Sequence, residues 1–139
     1  MGLRKMDDEE MAEFLAQPIV AVIAVDEPGW SPHVTPVWCH HLRAENRFLV
    51  MTMARSKKVR LHSEGSGELS LCIQASEGAT AKYVNVQGVA VLHPLSGELL
   101  KTMVDKYLPA QYREAYIANP PEDSMFEITP RRITTGVIG

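Results

Sequence analysis

The strongest chemical signal in the sequence is a serine followed by two lysines at the expected start of a short helix. Ser56, Lys57 and Lys58 follow an apolar run over residues 47–53, which predicts a buried strand. A helix N-terminus offers unpaired backbone N–H groups and the positive end of the helix dipole. With a hydroxyl and two cations beside it, this stretch predicts a cradle for an anion such as a phosphate.

The charge around this stretch leaves two interpretations open. Arg55 and Arg60 flank the lysines, so residues 55–60 hold four cations and no acid. Runs of charge are usually solvated helix faces, and that interpretation needs no ligand. On a chain with a net charge of -3, however, so local a positive patch suits a small anionic ligand. A nucleic-acid partner is not expected, because 14 Lys and Arg against 17 Asp and Glu leave no basic excess.

Length and composition predict one soluble domain over residues 1–139. The chain is 45% hydrophobic and 22% charged, which is ordinary globular usage. The longest apolar stretch, residues 18–25, is much shorter than the ~20 residues that a membrane-spanning helix needs. The first 13 residues are acidic and do not resemble an export signal. We therefore expect a cytoplasmic protein without a membrane partner, in which Cys39 and Cys72 are reduced.

Six strands and four helices are predicted to position the anion cradle. Asp7 and Glu10 look like a capping pair for an N-terminal helix, and Gly88 indicates a bulge. The strand over residues 19–25 is expected to be buried on both faces. In the next strand, alternation places Trp38 on one face with Pro36, and Val37 on the other. Strands are predicted at residues 19–25, 33–40, 47–53, 68–74, 82–92 and 125–138, the last interrupted at Pro130, and helices at 7–16, 57–62, 97–108 and 110–118. Strands joined by short hairpins favour a barrel.

In this order, the segments at residues 31–38, 48–52, 55–60 and 83–90 resemble the split-barrel flavoproteins of the pyridoxamine 5'-phosphate oxidase-like superfamily. The resemblance implies a mainly β fold with α: a six-stranded antiparallel split β-barrel of the FMN-binding type with flanking helices. It also implies a homodimer with the cofactor at the interface. The implied function is an FMN-binding oxidoreductase that acts on an unknown small molecule by hydride transfer at flavin N5.

Two alternatives accompany this function. One is a reductase on the same fold that uses the deazaflavin coenzyme F-420, whose acidic tail would employ the surplus of cations at residues 55–60. The other is a non-enzymatic flavin or heme carrier or sensor. The segment 131–136 does not reproduce the substrate-binding pattern of true pyridoxamine-phosphate oxidases, so a vitamin B6 substrate is not implied.

The resemblance also assigns ten cofactor-binding residues and no catalytic one. Those along the phosphate are Thr52, Arg55, Ser56, Lys57, Lys58 and Arg60, and those along the isoalloxazine are Thr35, Pro36, Val37 and Trp38. Which of the two lysines contacts the phosphate stays open.

Several other polar residues have less specific interpretations. Cys39, His40 and His41 are adjacent, and neighbouring strand residues point to opposite faces, so we expect no metal site. The tyrosines on the helical pair are expected to pack in the core or at a dimer contact. Two consecutive arginines either meet an anionic substrate or the deazaflavin tail, or are simply exposed. These residues are Tyr107, Tyr112 and Tyr116, and Arg131 and Arg132.

Overall fold

A computed structural model describes residues 2–139, which form eight strands and four helices. In chain order these are β1 Leu3–Arg4, α1 Asp8–Leu15, β2 Ala21–Val25, β3 His33–Val37, β4 Cys39–Leu42, β5 Arg47–Thr52, α2 Lys57–Glu64, β6 Glu68–Glu77, β7 Thr80–Pro94, α3 Gly97–Tyr107, α4 Ala110–Ala118 and β8 Ser124–Ile138. Among these helices none is long and apolar enough to cross a membrane.

All the strands belong to one antiparallel sheet in the order β3-β2-β6-β7-β8-β5-β4, with β1 paired to the end of β8. The strands β3 and β4 lie at opposite ends of this order, although they are consecutive in the chain. The sheet is therefore a half-barrel of antiparallel strands with four flanking helices. The predicted mainly β split barrel is confirmed.

The predicted strand over residues 33–40 is wrong in one respect, because it breaks at Trp38. The first part, β3, pairs with β2, whereas the second part, β4, pairs with β5 at the other end of the sheet. One straight strand cannot serve both partners, so the chain leaves the ladder at Trp38. The alternation that placed Trp38 on the face of Pro36 therefore stops at Val37.

The half-barrel encloses one hydrophobic core, and α3 adds a second, smaller one. Alternate residues of the strands fill the barrel, and the most deeply buried include Phe48, Leu71, Val84, Phe126 and Ile128. The second cluster joins Met51 to one face of α3. The expected burial of β2 on both faces is wrong for the single chain: Ala21, Ile23 and Val25 are buried, whereas Val22 is 44% exposed. At β2 only one face of the antiparallel sheet is covered.

The predicted bulge at Gly88 is confirmed, and it explains how β8 passes Pro130 without stopping. The pairing of β7 with β8 shifts between Gln87 opposite Arg132 and Gly88 opposite Pro130. A Cβ atom on Gly88 would clash with the carbonyl oxygen of Thr129, so only glycine allows this approach. Proline lacks an N–H for the ladder and is tolerated at such an irregularity. The expected interruption of the last strand is therefore a change of register within it.

Candidate functional site

A groove of about 420 Å³ lies where β3 ends, between the start of α2 and the link from α4 to β8. This size is within the range of small-molecule sites. Five of the ten predicted site residues line it: Pro36, Val37, Trp38, Thr52 and Lys58. The remaining lining residues are Val20, Met51, Met53, Tyr116, Pro121 and Glu122.

The start of α2 forms the polar end of this groove. Ser56 is the N-cap residue, but its side chain caps no backbone N–H; its Oγ lies 3.3 Å from Thr52 Oγ1 instead. The first hydrogen bond of the helix runs from Arg60 N to Ser56 O at 3.2 Å. The N–H groups of residues 57–59 precede that bond and have no side-chain cap. They are therefore available to an anion.

The two lysines of the first turn have different environments. Lys57 Nζ lies 2.7 Å from Glu27 Oε1 and is held in an ion pair outside the groove. Lys58 lines the groove and has no ion-pair partner within residues 2–139. Burial lowers the pKa of Lys58, and the nearby charge of Glu122 partly opposes this shift. Lys58 is thus the cation of the groove.

Trp38 forms an aromatic wall because two tyrosines hold its ring. The ring of Tyr107 stacks on it with centroids 5.0 Å apart and an interplanar angle of 1°, and that of Tyr116 with centroids 5.3 Å apart at 29°. The Tyr107 hydroxyl donates to Ile19 O at 2.8 Å and accepts from Cys39 N at 3.1 Å. Burial raises the pKa of Tyr107 to about 12, so this hydroxyl stays protonated. It secures the chain at the break between β3 and β4.

A carboxylate completes the groove opposite Lys58. The Tyr116 hydroxyl donates to Glu122 Oε2 at 2.7 Å, and burial together with this acceptor raises the pKa of Tyr116 well above its usual value. The next residue, Asp123, accepts from Ala54 N at 2.8 Å, and its own N–H donates to Thr52 O at 3.3 Å. The link that carries Glu122 is therefore fastened to the loop that leads into α2.

The sequence profile of pyridoxamine 5'-phosphate oxidase matches residues 7–135, nearly the whole chain and all of this groove. The chain belongs to the pyridoxamine 5'-phosphate oxidase family. A comparison with functionally described protein sequences gives no match.

Solved structures show the same fold as this member of the pyridoxamine 5'-phosphate oxidase family. A FAD-binding protein from Mesorhizobium loti superposes with a TM-score of 0.70 at 18% identity, covering 100% of both chains. The FAD-binding protein from Mycobacterium smegmatis gives 0.68 at 12% identity, covering 99% of this chain and 100% of its own. A conserved hypothetical protein from Mycobacterium tuberculosis gives 0.70 at 18% identity, with 94% and 84% covered. At these identities the likeness establishes the fold.

Five predicted site residues of this oxidase-family chain do not line the groove. Ser56 and Thr35 are nevertheless close to its walls: Ser56 contacts Thr52, and Thr35 belongs to β3 with Pro36 and Val37. The Thr35 Oγ1 atom is buried without a hydrogen-bond partner among the described residues. The other three are Arg55 and Arg60, which are exposed, and Lys57, which pairs with Glu27. Their binding of a cofactor stays a prediction.

The two consecutive arginines of β8 have different surroundings in the structure. Arg131 forms an ion pair with Glu68, whereas Arg132 lines a different cavity of about 900 Å³ between α1, the β4–β5 turn and β8. Neither reaches the groove.

The three tyrosines also differ: Tyr107 and Tyr116 pack on Trp38, but Tyr112 is exposed. Among residues 2–139 no group of three or more His, Cys, Asp or Glu side chains has the geometry of a metal site.

Sequence reasoning did not find Glu122 as a groove residue. Lys58 and Thr52, which line the groove together with it, lie more than 60 positions earlier in the chain. The only local signal is the Asn119-Pro120-Pro121 sequence, which predicts that α4 ends and that the chain turns. Where that turn leads is decided by tertiary packing.

Proposed function

We propose that this chain is a flavin-binding oxidoreductase of the pyridoxamine 5'-phosphate oxidase family that holds FMN in the groove beside α2. One observation carries the proposal: the N-terminus of α2, whose N-cap side chain makes no capping bond, and the half-buried Lys58, which has no ion-pair partner among residues 2–139, border a groove with an aromatic wall. Two structural neighbours are described as FAD-binding proteins, which supports a flavin ligand.

The residues of the groove fit both the phosphate and the planar ring of FMN. A phosphate needs hydrogen-bond donors and positive charge, which Lys58, the Ser56 hydroxyl and the free N–H groups of residues 57–59 supply. A planar apolar ring needs a flat apolar surface, which Pro36, Val37 and Met51 supply.

In the reaction, the residues of this chain bind and orient the flavin and exclude water from it. A bound flavin supplies the hydride chemistry itself. Lys58 and the start of α2 fix the anionic end of the ligand, and the Trp38 wall with its two tyrosines keeps water from one side of the groove. Tyr116, whose pKa is raised, stays neutral and keeps its hydrogen bond to Glu122 over the physiological pH range.

We further propose that two copies of the chain form a dimer and that the groove lies at its border. The outer face of β2 and β3 exposes Val34 at 58% and Val22 at 44%, and neighbouring Val20 is 50% exposed. Val20 also lines the groove, together with Pro36 of the same open face. A second copy covering this face would close the groove on that side. Sedimentation of Val34→Glu tests this: the variant is expected to be monomeric and to bind flavin more weakly than wild type.

The deazaflavin alternative has one observation in its favour. Arg55 and Arg60 are exposed next to Lys58 but outside the groove, so they exceed what one phosphate needs. An acidic tail that leaves the groove would meet them. A heme carrier has no comparable support from the described residues.

Titration of the purified apo-protein with FMN, and separately with the deazaflavin coenzyme, tests the proposal. Both titrations are followed by fluorescence at one ionic strength, with inorganic phosphate as a competitor of the polar end. We expect tight FMN binding that phosphate weakens. The reverse preference would establish the deazaflavin alternative, and a protein that binds neither, or that purifies with a heme absorption band, would overturn the flavin proposal.

A further inference from the structure

Glu122 is an unexpected residue in a groove that is proposed to hold a phosphate. Its carboxylate lines the same concavity as Lys58, and like charges repel. A side chain that opposed the ligand would be expected to turn away to solvent. The surroundings of Glu122 show that it cannot do so freely.

Two sets of contacts hold Glu122 in place. Its Oε2 accepts the 2.7 Å hydrogen bond from Tyr116, whose ring is stacked on Trp38. Its neighbour Asp123 is fastened to the backbone of Ala54 and Thr52. Turning the carboxylate out of the groove would break a charge-assisted hydrogen bond, which is about twice as strong as a neutral one. The carboxylate is therefore a fixed feature of the site.

Neutralising Lys58 does not explain this arrangement. The two charges are close enough for Glu122 to oppose the lowering of the Lys58 pKa by burial, yet in the described chain they form no ion pair with each other. The other oxygen, Oε1, accepts no hydrogen bond from residues 2–139. The groove thus presents one cation, Lys58, and one acceptor atom, Glu122 Oε1, that can still accept a hydrogen bond. A ligand that satisfies both carries an anionic group and, a few bonds away, a hydrogen-bond donor.

We propose that Glu122 determines ligand specificity in this groove by accepting a hydrogen bond from a hydroxyl that the ligand carries next to its phosphate. The inference rests on the proposed flavin binding and deepens it, because the ribityl chain of FMN carries such hydroxyls beside the phosphate. A neutral donor fits better than a cation, since Lys58 already supplies the positive charge. The recognised element is the polyol phosphate, which the deazaflavin coenzyme shares, so the inference does not depend on the choice between the two ring systems.

Three flavins that differ only in their side chain distinguish a contact of Glu122 with a ribityl hydroxyl from an effect on the phosphate or on the ring. Lumiflavin has no ribityl chain, riboflavin has the chain without phosphate, and FMN has both. Dissociation constants are measured for wild type, Glu122→Ala and Glu122→Gln. Glu114→Ala, which removes an exposed carboxylate from α4, is the matched control.

For Glu122→Ala we expect riboflavin and FMN each to bind about tenfold more weakly, with lumiflavin unchanged, because a hydrogen bond to a charged acceptor is lost. Glu122→Gln keeps one acceptor oxygen, which can replace Oε2 towards Tyr116 or Oε1 towards the ligand but not both, so it should lose no more than the alanine variant, and it replaces that variant if the alanine protein does not fold. Glu114→Ala should behave as wild type.

Three results would overturn the inference. Equal affinities of wild type and both Glu122 variants for riboflavin would remove the hydroxyl contact while leaving flavin binding intact. A variant that binds FMN more tightly and riboflavin unchanged would show that Glu122 only repels the phosphate. Wild-type protein that binds none of the three flavins would overturn the flavin proposal and this inference together.

Discussion

The helices α1 and α2 have the same length of eight residues but opposite chemistry at their N-termini. At α1 the Asp7 side chain accepts from Glu10 N at 2.8 Å, and the first turn is acidic. Two of its three acids form ion pairs: Glu10 with Arg4 and Lys82, and Glu9 with Arg43. At α2 the Ser56 side chain caps nothing, and the first turn is basic.

This difference separates a helix start whose cap and charges are satisfied within the chain from one that no N-cap side chain caps. In α1 the acids and the capping carboxylate compensate the helix dipole. In α2 the two lysines add positive charge to the positive end of the dipole, which is unfavourable without an anion. Proteins break such local rules mostly at functional sites. The comparison therefore supports an anion site at α2 and a structural role for α1.

The largest expected effect distinguishes the two lysines of α2. Lys58→Gln should weaken FMN binding by at least tenfold, because it removes a charge-assisted contact worth on the order of 1.5–3 kcal/mol. Lys57→Gln, at the adjacent position, should weaken it less than about threefold, because Lys57 is engaged with Glu27 and is largely solvent-screened. Fluorescence titration of both variants checks this. Equal losses would place both lysines at the phosphate.

Removing the cap of α1 should affect stability and not binding. Asp7→Ala loses the hydrogen bond to Glu10 N, so we expect the free energy of unfolding to fall by about 1 kcal/mol. Urea denaturation measures the loss, and FMN titration of the same variant should match wild type. Ser56→Ala is the control with the opposite profile: weaker FMN binding with little change in stability. A similar destabilisation by both substitutions would contradict the contrast between the helices.

Converting the start of α2 into one like that of α1 should weaken FMN binding and stabilise the apo-protein. Ser56→Asp supplies a capping carboxylate, which should raise the unfolding free energy of the apo-protein by roughly 0.5 kcal/mol. The same charge should weaken FMN binding about threefold, or roughly 0.7 kcal/mol, by repelling the phosphate. Riboflavin, which lacks the phosphate, serves as the control ligand and should bind unchanged. If riboflavin is weakened equally, the effect of the substitution is steric.

The smallest effect concerns the acid network of α1 and its dependence on pH. The hydrogen bond from Arg4, with a further contribution from Lys82, lowers the pKa of Glu10 from 4.5 to about 2. Because the folded pKa is below the unfolded one, Glu10 stabilises the fold above pH 4.5 and loses this contribution as the pH falls towards 2. Urea denaturation should therefore show Glu10→Gln to be less stable than wild type at pH 7, with the difference vanishing in acid. A difference that persists in acid would show a packing effect.

Much of the fold followed from the sequence because the strands and helix caps are local features. The β-branched apolar run over residues 19–25 indicates a strand by itself, and Asp7 marks a helix start through its contact three residues away. The sequence does not predict the break at Trp38, because its residue pattern is compatible with one strand from residue 33 to 40 and the change of pairing partner has no local signature. The open face of β2 likewise depends on what the sheet leaves uncovered.

The candidate site was predictable in type but not in detail. The hydroxyl and cations of residues 56–58 indicated an anion cradle, but adjacent helix positions point about 100° apart, so only the structure separates Lys57 from Lys58. The partner that engages Lys57 lies 30 positions earlier, and Glu122 approaches Lys58 from a link 64 positions later. Contacts of this kind depend on how β2 and α4 are placed, which residue patterns do not encode.

The stacking of Trp38 also affects the intrinsic fluorescence of the protein. The chain has two tryptophans, and their surroundings differ: Trp30 is 80% exposed, whereas Trp38 stacks with two tyrosines at the groove. Their emission should therefore differ in wavelength, with Trp30 reporting bulk solvent. Because Trp38 lines the groove and Trp30 does not, a ligand that enters the groove should change the emission of Trp38 more than that of Trp30. The protein can thus be followed by its own fluorescence without a label.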